Sequence, residues 1–198
     1  MTEASLLEQI SNKEILADSE LFKEIHRIKH QNEGIIAEMN TGYHDAVETL
    51  QYFEAITGKK LDSTVTVSLP FYTDFGAHIM LGKNVFINQN VTFVDLGGIV
   101  VEEDVLIGPM SRLITVNHLL DPQKRRGLLT KPITIKKNAW IGANVTILPG
   151  VTIGKNSVIA ADSTVTTDIP EGVIAAGTPA RVIKQLISDE EEKNEDFK

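Results

Sequence analysis

The sequence predicts a parallel β-helix of hexapeptide repeats, preceded by an α-helical segment and interrupted by one loop. Three observations carry this. Ile135, Ile141, Ile147, Ile153, Ile159 and Val165 follow one another six residues apart without a slip. The same step runs through Leu81, Ile87 and Phe93 and, after a two-residue insertion at Gly97-Gly98, through Val101, Ile107 and Leu113. Between these anchors stand turn formers such as Asn144, Gly154, Asn156 and Asp162. A period of six fits neither a helix, at about 3.6, nor a plain strand, at about 2. It fits a coil in which each hexapeptide supplies one short strand and one corner, with the aliphatic anchor pointing inward. Twelve anchors at three faces per coil make about four coils, above the roughly three repeats such an architecture needs.

The flanking regions read differently. Residues 1–60 carry helical signals: Ser11-Asn12-Lys13-Glu14 has capping-box spacing, and Leu21, Phe22, Ile25 and Ile28 recur along one helix face. From His44 to Ile56, Val47, Leu50 and Phe53 stand between polar residues, and Gly58 follows where a helix would end. Two or three helices are expected. The β-helix takes 61–187, with its loop at 116–132, and 188–198 is an acidic tail. That tail holds much of the net charge of −8. The balance argues against a nonspecific nucleic-acid binder, because phosphate contacts need clustered Lys and Arg. No apolar run approaches the roughly 20 residues of a membrane span, and Met1-Thr2-Glu3-Ala4 lacks a basic signal region, so a cytoplasmic protein is expected. Zero cysteines exclude disulfides, Cys-ligated zinc and a cysteine nucleophile.

Several strings sharpen the reading: Pro70-Phe71-Tyr72-Thr73-Asp74-Phe75-Gly76, Asn88-Gln89-Asn90, Asn117-His118-Leu119-Leu120-Asp121-Pro122, Lys131-Pro132-Ile133, Ala139-Trp140-Ile141-Gly142 and Gly177-Thr178-Pro179-Ala180-Arg181-Val182-Ile183. Together with the repeats, the chain resembles the maltose/galactoside O-acetyltransferase family of left-handed β-helix acyltransferases. The left hand comes from the resemblance alone, since the general crossover rule favours the right. The resemblance implies acetyl transfer from acetyl-coenzyme A to a sugar hydroxyl, without a required metal, by a homotrimer whose sites lie between subunits.

The segment between Leu113 and Ile135 is too polar for another coil, and loops that interrupt a rigid scaffold concentrate function. An imidazole titrating near neutrality can take a proton from a hydroxyl. From the residues alone, His118 is either such a base or a surface-loop histidine; the resemblance makes it the catalytic base. The resemblance likewise assigns Asn88 to transition-state and acceptor contact, where a turn asparagine is the plain alternative. Asp18, Asp74 and Asp95 fall at its acceptor-pocket positions, although Asp18 also reads as a helix N-cap and the other two as corner residues. Coenzyme A contacts are implied at Ala143, Ala161, Thr166, Thr167, Arg181 and Lys184. Small residues admit the pantetheine arm, and the cations suit phosphates. Trp140 is expected beside that groove, and Lys124-Arg125-Arg126 in solvent.

Two departures from the family pattern stand out: Leu119 where many members have Pro, and Thr167 where many have Lys. Rival readings are a serine or xenobiotic acceptor on the same fold, a non-catalytic sugar-binding scaffold, and a three-histidine zinc enzyme. For the last, only His78 and His118 of the five histidines fall within the coils, while His26 and His30 read as an exposed helix face.

Overall fold

The computed structural model describes residues 5–186; the acidic tail lies outside them. The hexapeptide anchors form three parallel sheets wound into a solenoid of about six turns. In chain order, the first face stacks strands Thr66–Val67, Phe86–Ile87, Leu106–Ile107, Trp140–Ile141, Val158–Ile159 and Val173–Gly177. The second stacks Phe71–Thr73, Val91–Val94, Arg112–Ile114, Thr146–Ile147 and Thr164–Val165, and the third Ile79–Leu81, Ile99–Val101, Ile133–Ile135 and Thr152–Ile153. Strand register places Val67, Ile87, Ile107, Ile141, Ile159 and Ala175 in one column. Phe93, Leu113, Ile147 and Val165 form a second, and Leu81, Val101, Ile135 and Ile153 a third.

All twelve expected anchors thus fall into three columns of four, one behind each face. The expected four coils are too few, because the first and last turns carry weaker anchors. Thr73, paired with Phe93, and Ala175, paired with Ile159, are not large aliphatics, and the step from Val165 to Ile169 shrinks to four residues. Burial drives the stacking. Ile87, Ile107, Ile141 and Ile159 are fully buried, and each such side chain contributes about 1.5–3 kcal/mol relative to exposure.

The corners follow their own column rule. Asn84, Asp104, Asn138 and Asn156 all lie in left-handed backbone conformation between the third and first faces. Asn90, Met110, Asn144 and Asp162 do so between the first and second. Asn and Asp tolerate that conformation better than other side chains, and here they also bridge coils. Asn84 Nδ2 donates to Asp104 Oδ1 at 2.9 Å, Asn138 Nδ2 to Asn156 Oδ1 at 3.0 Å, and Asn144 Nδ2 to Asp162 Oδ1 at 2.6 Å. Met110 is the exception, a long side chain at φ 62° where its counterparts are Asn or Asp.

The N-terminal region closes one end. Helices α1 (Leu6–Ile10), α2 (Glu20–Met39) and α3 (Ala46–Thr57) match the expected two or three, with Gly58 ending α3 in left-handed conformation. Met39, Phe53 and Ile56 enter the solenoid core, and Phe53 stacks 4.7 Å from Phe71, which itself meets Phe93 at 5.1 Å. Val47, expected on the apolar face of α3, points to solvent instead. The capping box expected at Ser11–Glu14 is absent. Capping boxes form at Ser5–Glu8 and Asp45–Glu48, while Ser11 follows α1 and Asn12 turns the chain at φ 56°. Glu14–Ile15 then pairs antiparallel with Leu128–Thr130, so tertiary strand pairing overrides the local helix signal. At the other end, Ala180–Gln185 folds back antiparallel on Val173–Gly177.

Replacing Met110 by Asn should raise the unfolding free energy in urea by about 0.5–1 kcal/mol. Ile141→Ala, which opens a cavity in the first column, should lower it by about 2–5 kcal/mol. Equal midpoints for Met110→Asn and the parent would show that the corner is unstrained.

Candidate active site

The regular step is lengthened at one edge only. Between the second and third faces, Thr73 to Leu81 and Phe93 to Val101 each take eight residues, and Leu113 to Ile135 takes twenty-two. The surplus residues stack on that edge and build a cleft outside the solenoid. The longest insertion forms a hairpin, Val116–His118 against Leu128–Thr130, which Glu14–Ile15 extends to three strands. A second apolar cluster lies beneath it, with Ile10, Ile15, Ile25, Phe75, Leu96 and Leu128 buried together. This cluster fixes α2 and the hairpin against the coil edge.

The 74–78 insertion is clamped from three sides. Asp95, fully buried, accepts from Thr73 Oγ1 at 2.5 Å and from the backbone amides of Phe75, Gly76 and His78 at 2.9–3.2 Å. Asn32 of α2 donates to the Phe75 carbonyl at 2.6 Å and to the Ile56 carbonyl at 3.3 Å. Lys59 Nζ donates to the carbonyls of Ala77 and Ile79 at 3.0 Å each, and burial pushes its ammonium below the usual lysine range. Gly76 is required where it stands: its φ is +86°, and a Cβ would lie 2.4 Å from Ile56 Cγ2. His78 points Nδ1 at the Leu96 carbonyl, 2.6 Å away, and burial lowers its pKa.

Within this frame a cleft of about 600 Å³ opens between α2, the coil edge and the hairpin. His118 and Asp74 both line it, so two of the expected site residues come together. The exposed imidazole of His118, at the end of its strand, has no hydrogen-bonding partner among the described residues. Asp74 Oδ1 accepts the Asp95 backbone N–H at 3.1 Å. Burial, reinforced by the charge of Asp95, pushes the Asp74 carboxyl up to about 6, with Lys29 pulling the other way. Asp95 itself lies below the cleft and lines no wall of it. Asp18 lies apart, in an adjoining hollow with Lys124, Arg125 and Arg126. Nor is it the cap of α2, since Ser19 Oγ accepts the Phe22 N–H at 3.2 Å.

Asn88 lies elsewhere. With Trp140, Ala143 and Ala161 it lines a groove, also about 600 Å³, on the outer side of the first face. Its Oδ1 accepts the Gln89 N–H at 2.8 Å, while its Nδ2 donates to no described residue. Phe86, Leu106, Trp140 and Val158 form the groove's apolar wall. The coils approach closely along its floor: a Cβ on Gly142 would fall 2.7 Å from the Ala161 amide nitrogen. Thr166 and Thr167 are exposed at the next corner, and Arg181 and Lys184 are exposed on the terminal hairpin; none of the four lines this groove. A single chain therefore does not bring Asn88 and His118 into one cavity.

The side of the His118 cleft formed by α2 was not expected from the sequence. Phe22, Ile25, His26 and Lys29 line it from α2, at a spacing that marks a single helix face. That spacing is the available signal; His26 and His30 are both exposed, as expected, His26 bordering the cleft and His30 paired with Glu33. Arg125 and Arg126, expected in a solvated loop, line the cleft as well. Among the described residues no three His, Asp or Glu side chains are grouped so as to hold a metal ion, and no helix is long and apolar enough to cross a membrane.

Comparison with known proteins agrees with this architecture. Residues 132–167 match the model of the bacterial transferase hexapeptide family (six repeats). A putative acetyltransferase of Saccharomyces cerevisiae, YJL218W, is 38% identical over 86% of this chain and 88% of its own. The chain belongs to the hexapeptide-repeat acetyltransferases. The galactoside O-acetyltransferase of Escherichia coli is 44% identical over 61% of this chain, a stretch spanning 60% of that protein. A solved galactoside acetyltransferase in complex with coenzyme A superimposes with a TM-score of 0.80, at 32% identity over 96% of this chain and 94% of the other.

The shifted Asp74 carboxyl has a consequence for this acetyltransferase's stability. Between the ordinary carboxylate range and about pH 6 the folded chain holds a proton that the unfolded chain has lost. Asp74 therefore makes stability fall as pH rises through that window, by at most about 1.4 kcal/mol per unit. Asp74→Asn should remove this component, so the variant should gain on the parent from pH 4.5 to 6.5 in urea unfolding. Parallel stability curves for the two proteins would contradict the shift.

Proposed function

We propose that the chain transfers an acetyl group from acetyl-coenzyme A to a hydroxyl of a sugar acceptor of the galactoside, maltose or glucose kind, with His118 as general base. The observation that carries this reading is an unpartnered imidazole on a hairpin strand, lining a cleft large enough for a sugar. Membership of the acetyltransferase family and the galactoside O-acetyltransferase relative support the chemistry. The solved coenzyme A complex supports the donor.

In this mechanism an imidazole nitrogen of His118 takes the acceptor's hydroxyl proton as the oxygen attacks the thioester carbonyl. The tetrahedral intermediate carries an oxyanion, and Asn88 Nδ2 is a free donor suited to it. Collapse breaks the carbon–sulfur bond, and the imidazolium returns its proton to the departing thiolate, so no covalent enzyme intermediate is needed. Asp74 accepts a hydrogen bond from the acceptor, while Asp95 acts as a positioning residue that holds the 74–78 segment. The apolar groove with Ala143 and Ala161 takes the pantetheine arm. Thr166, Thr167, Arg181 and Lys184 meet the coenzyme further along, where the cations suit its phosphates.

Because Asn88 and His118 lie in separate cavities of one chain, the site is assembled between subunits, with the Asn88 groove of one facing the His118 cleft of the next in a homotrimer. Exposed apolar side chains in and beside the Asn88 groove, Leu106 and Trp140 in its wall and Met110 at the neighbouring corner, support this arrangement.

His118→Ala should lower acetyl transfer by roughly 10²–10⁴-fold, and Asn88→Ala by about 10²–10³-fold, with folding retained. Thiol release from acetyl-coenzyme A measures both. Dissociating and reassociating the two inactive variants together should restore about a quarter of the parent's sites, since some interfaces then pair an intact His118 with an intact Asn88. Failure to restore any activity in mixed oligomers would place both residues in a site within one chain.

A further inference from the structure

We propose that the acceptor is an anionic sugar, carrying a carboxylate or a phosphate ester, held by Lys29, Arg125 and Arg126 in the cleft that His118 lines. The inference rests on the acetyl-transfer reading and narrows its substrate class.

Charge is the first ground. The protein has a net charge of −8, yet three permanent cations converge on this cleft from two separate elements, Lys29 from α2 and the two arginines from the hairpin loop. Only one carboxyl, Asp74, shares the cleft wall. Asp95 lies beneath it, fully buried, with its oxygens taken by the 73–78 segment. Asp18 shares the adjoining hollow with the arginines.

The second ground is the absence of partners. Among the described residues none of the three cations forms an ion pair, a property they share with cations such as Lys13, Lys131 and Lys155; what distinguishes them is that all three border one cleft. Arg125 donates only to the Leu120 carbonyl, which holds the loop in shape and leaves the remaining guanidinium donors available. A neutral sugar is served by carboxylate and amide acceptors for its hydroxyls. A cleft with three cations against one carboxyl, which Lys29 already offsets in part, is served by an anion, which a guanidinium fork meets in bidentate fashion whether it is carboxylate or phosphate.

The test is thiol release from acetyl-coenzyme A by the intact oligomer with glucose, glucuronate and glucose 6-phosphate as acceptors at matched ionic strength. At least one anionic acceptor should exceed glucose in kcat/KM by roughly ten- to a hundred-fold, and the two anionic arms decide between carboxylate and phosphate. The preference should shrink with added salt, and in the Lys29→Met, Arg126→Gln double variant the anionic-to-neutral ratio should fall toward one. If that variant does not fold, the salt series on the parent protein carries the test. Equal or better turnover of glucose overturns this inference and leaves acetyl transfer standing. A preference that persists unchanged in the double variant overturns the assignment to these cations. No release with any sugar overturns the transfer reading and this inference with it.

Discussion

The columns of aliphatic side chains inside the solenoid are the interaction on which everything else depends. Ile87, Ile107, Ile141 and Ile159 are stacked by parallel register and sealed from solvent, and comparable columns lie behind the other two faces. Because every coil must place an anchor at the same height on the same face, the backbone tolerates extra residues only at corners. Two of the three corners are held to the regular step by Asn and Asp side chains that bridge coils, whereas the third, whose left-handed residues are Gly76, Gly98 and Gly150, has no side chains at those positions to form such bridges. The insertions therefore accumulate on the remaining edge, and the His118 cleft is built from that surplus.

That cleft depends on the N-terminal region as much as on the coil. Asn32, Lys59 and the Glu14–Ile15 strand each hold a different part of the edge, and the buried Asp95 ties the 74–78 segment from below. Asp74 is left partly desolvated beside a second acidic group, which accounts for its elevated pKa. The same burial that positions the residue also perturbs it.

How much of this was legible in the sequence follows from how local each signal is. The six-residue period is strong because each anchor is fixed by its own coil, so all twelve anchors lie in the three stacked columns. The terminal coils were missed where Thr73 and Ala175 stand in place of large aliphatics. His118 and Asp74 were identifiable from the strings around them, but their shared cleft with His26 and Lys29 was not. That proximity is created by α2 crossing the coil edge, a contact between residues far apart in the chain. Ser11–Glu14 failed for the same reason in reverse: a good local helix signal lost to strand pairing with Leu128–Thr130, more than a hundred residues away. Arg125 and Arg126 are exposed loop cations, as the sequence suggests, but nothing local shows that they also border the cleft under α2.

The two ends of the solenoid differ from its middle. Phe53 and Met39 plug one mouth, and the strand Ala180–Gln185 runs against the direction of the sheet at the other. An open parallel coil would offer its last rung as a template for another molecule, and fibres could grow along the axis. Stoppered at one mouth and reversed at the other, this barrel resists lengthwise polymerisation, and sideways contact is the natural route left for copies to associate.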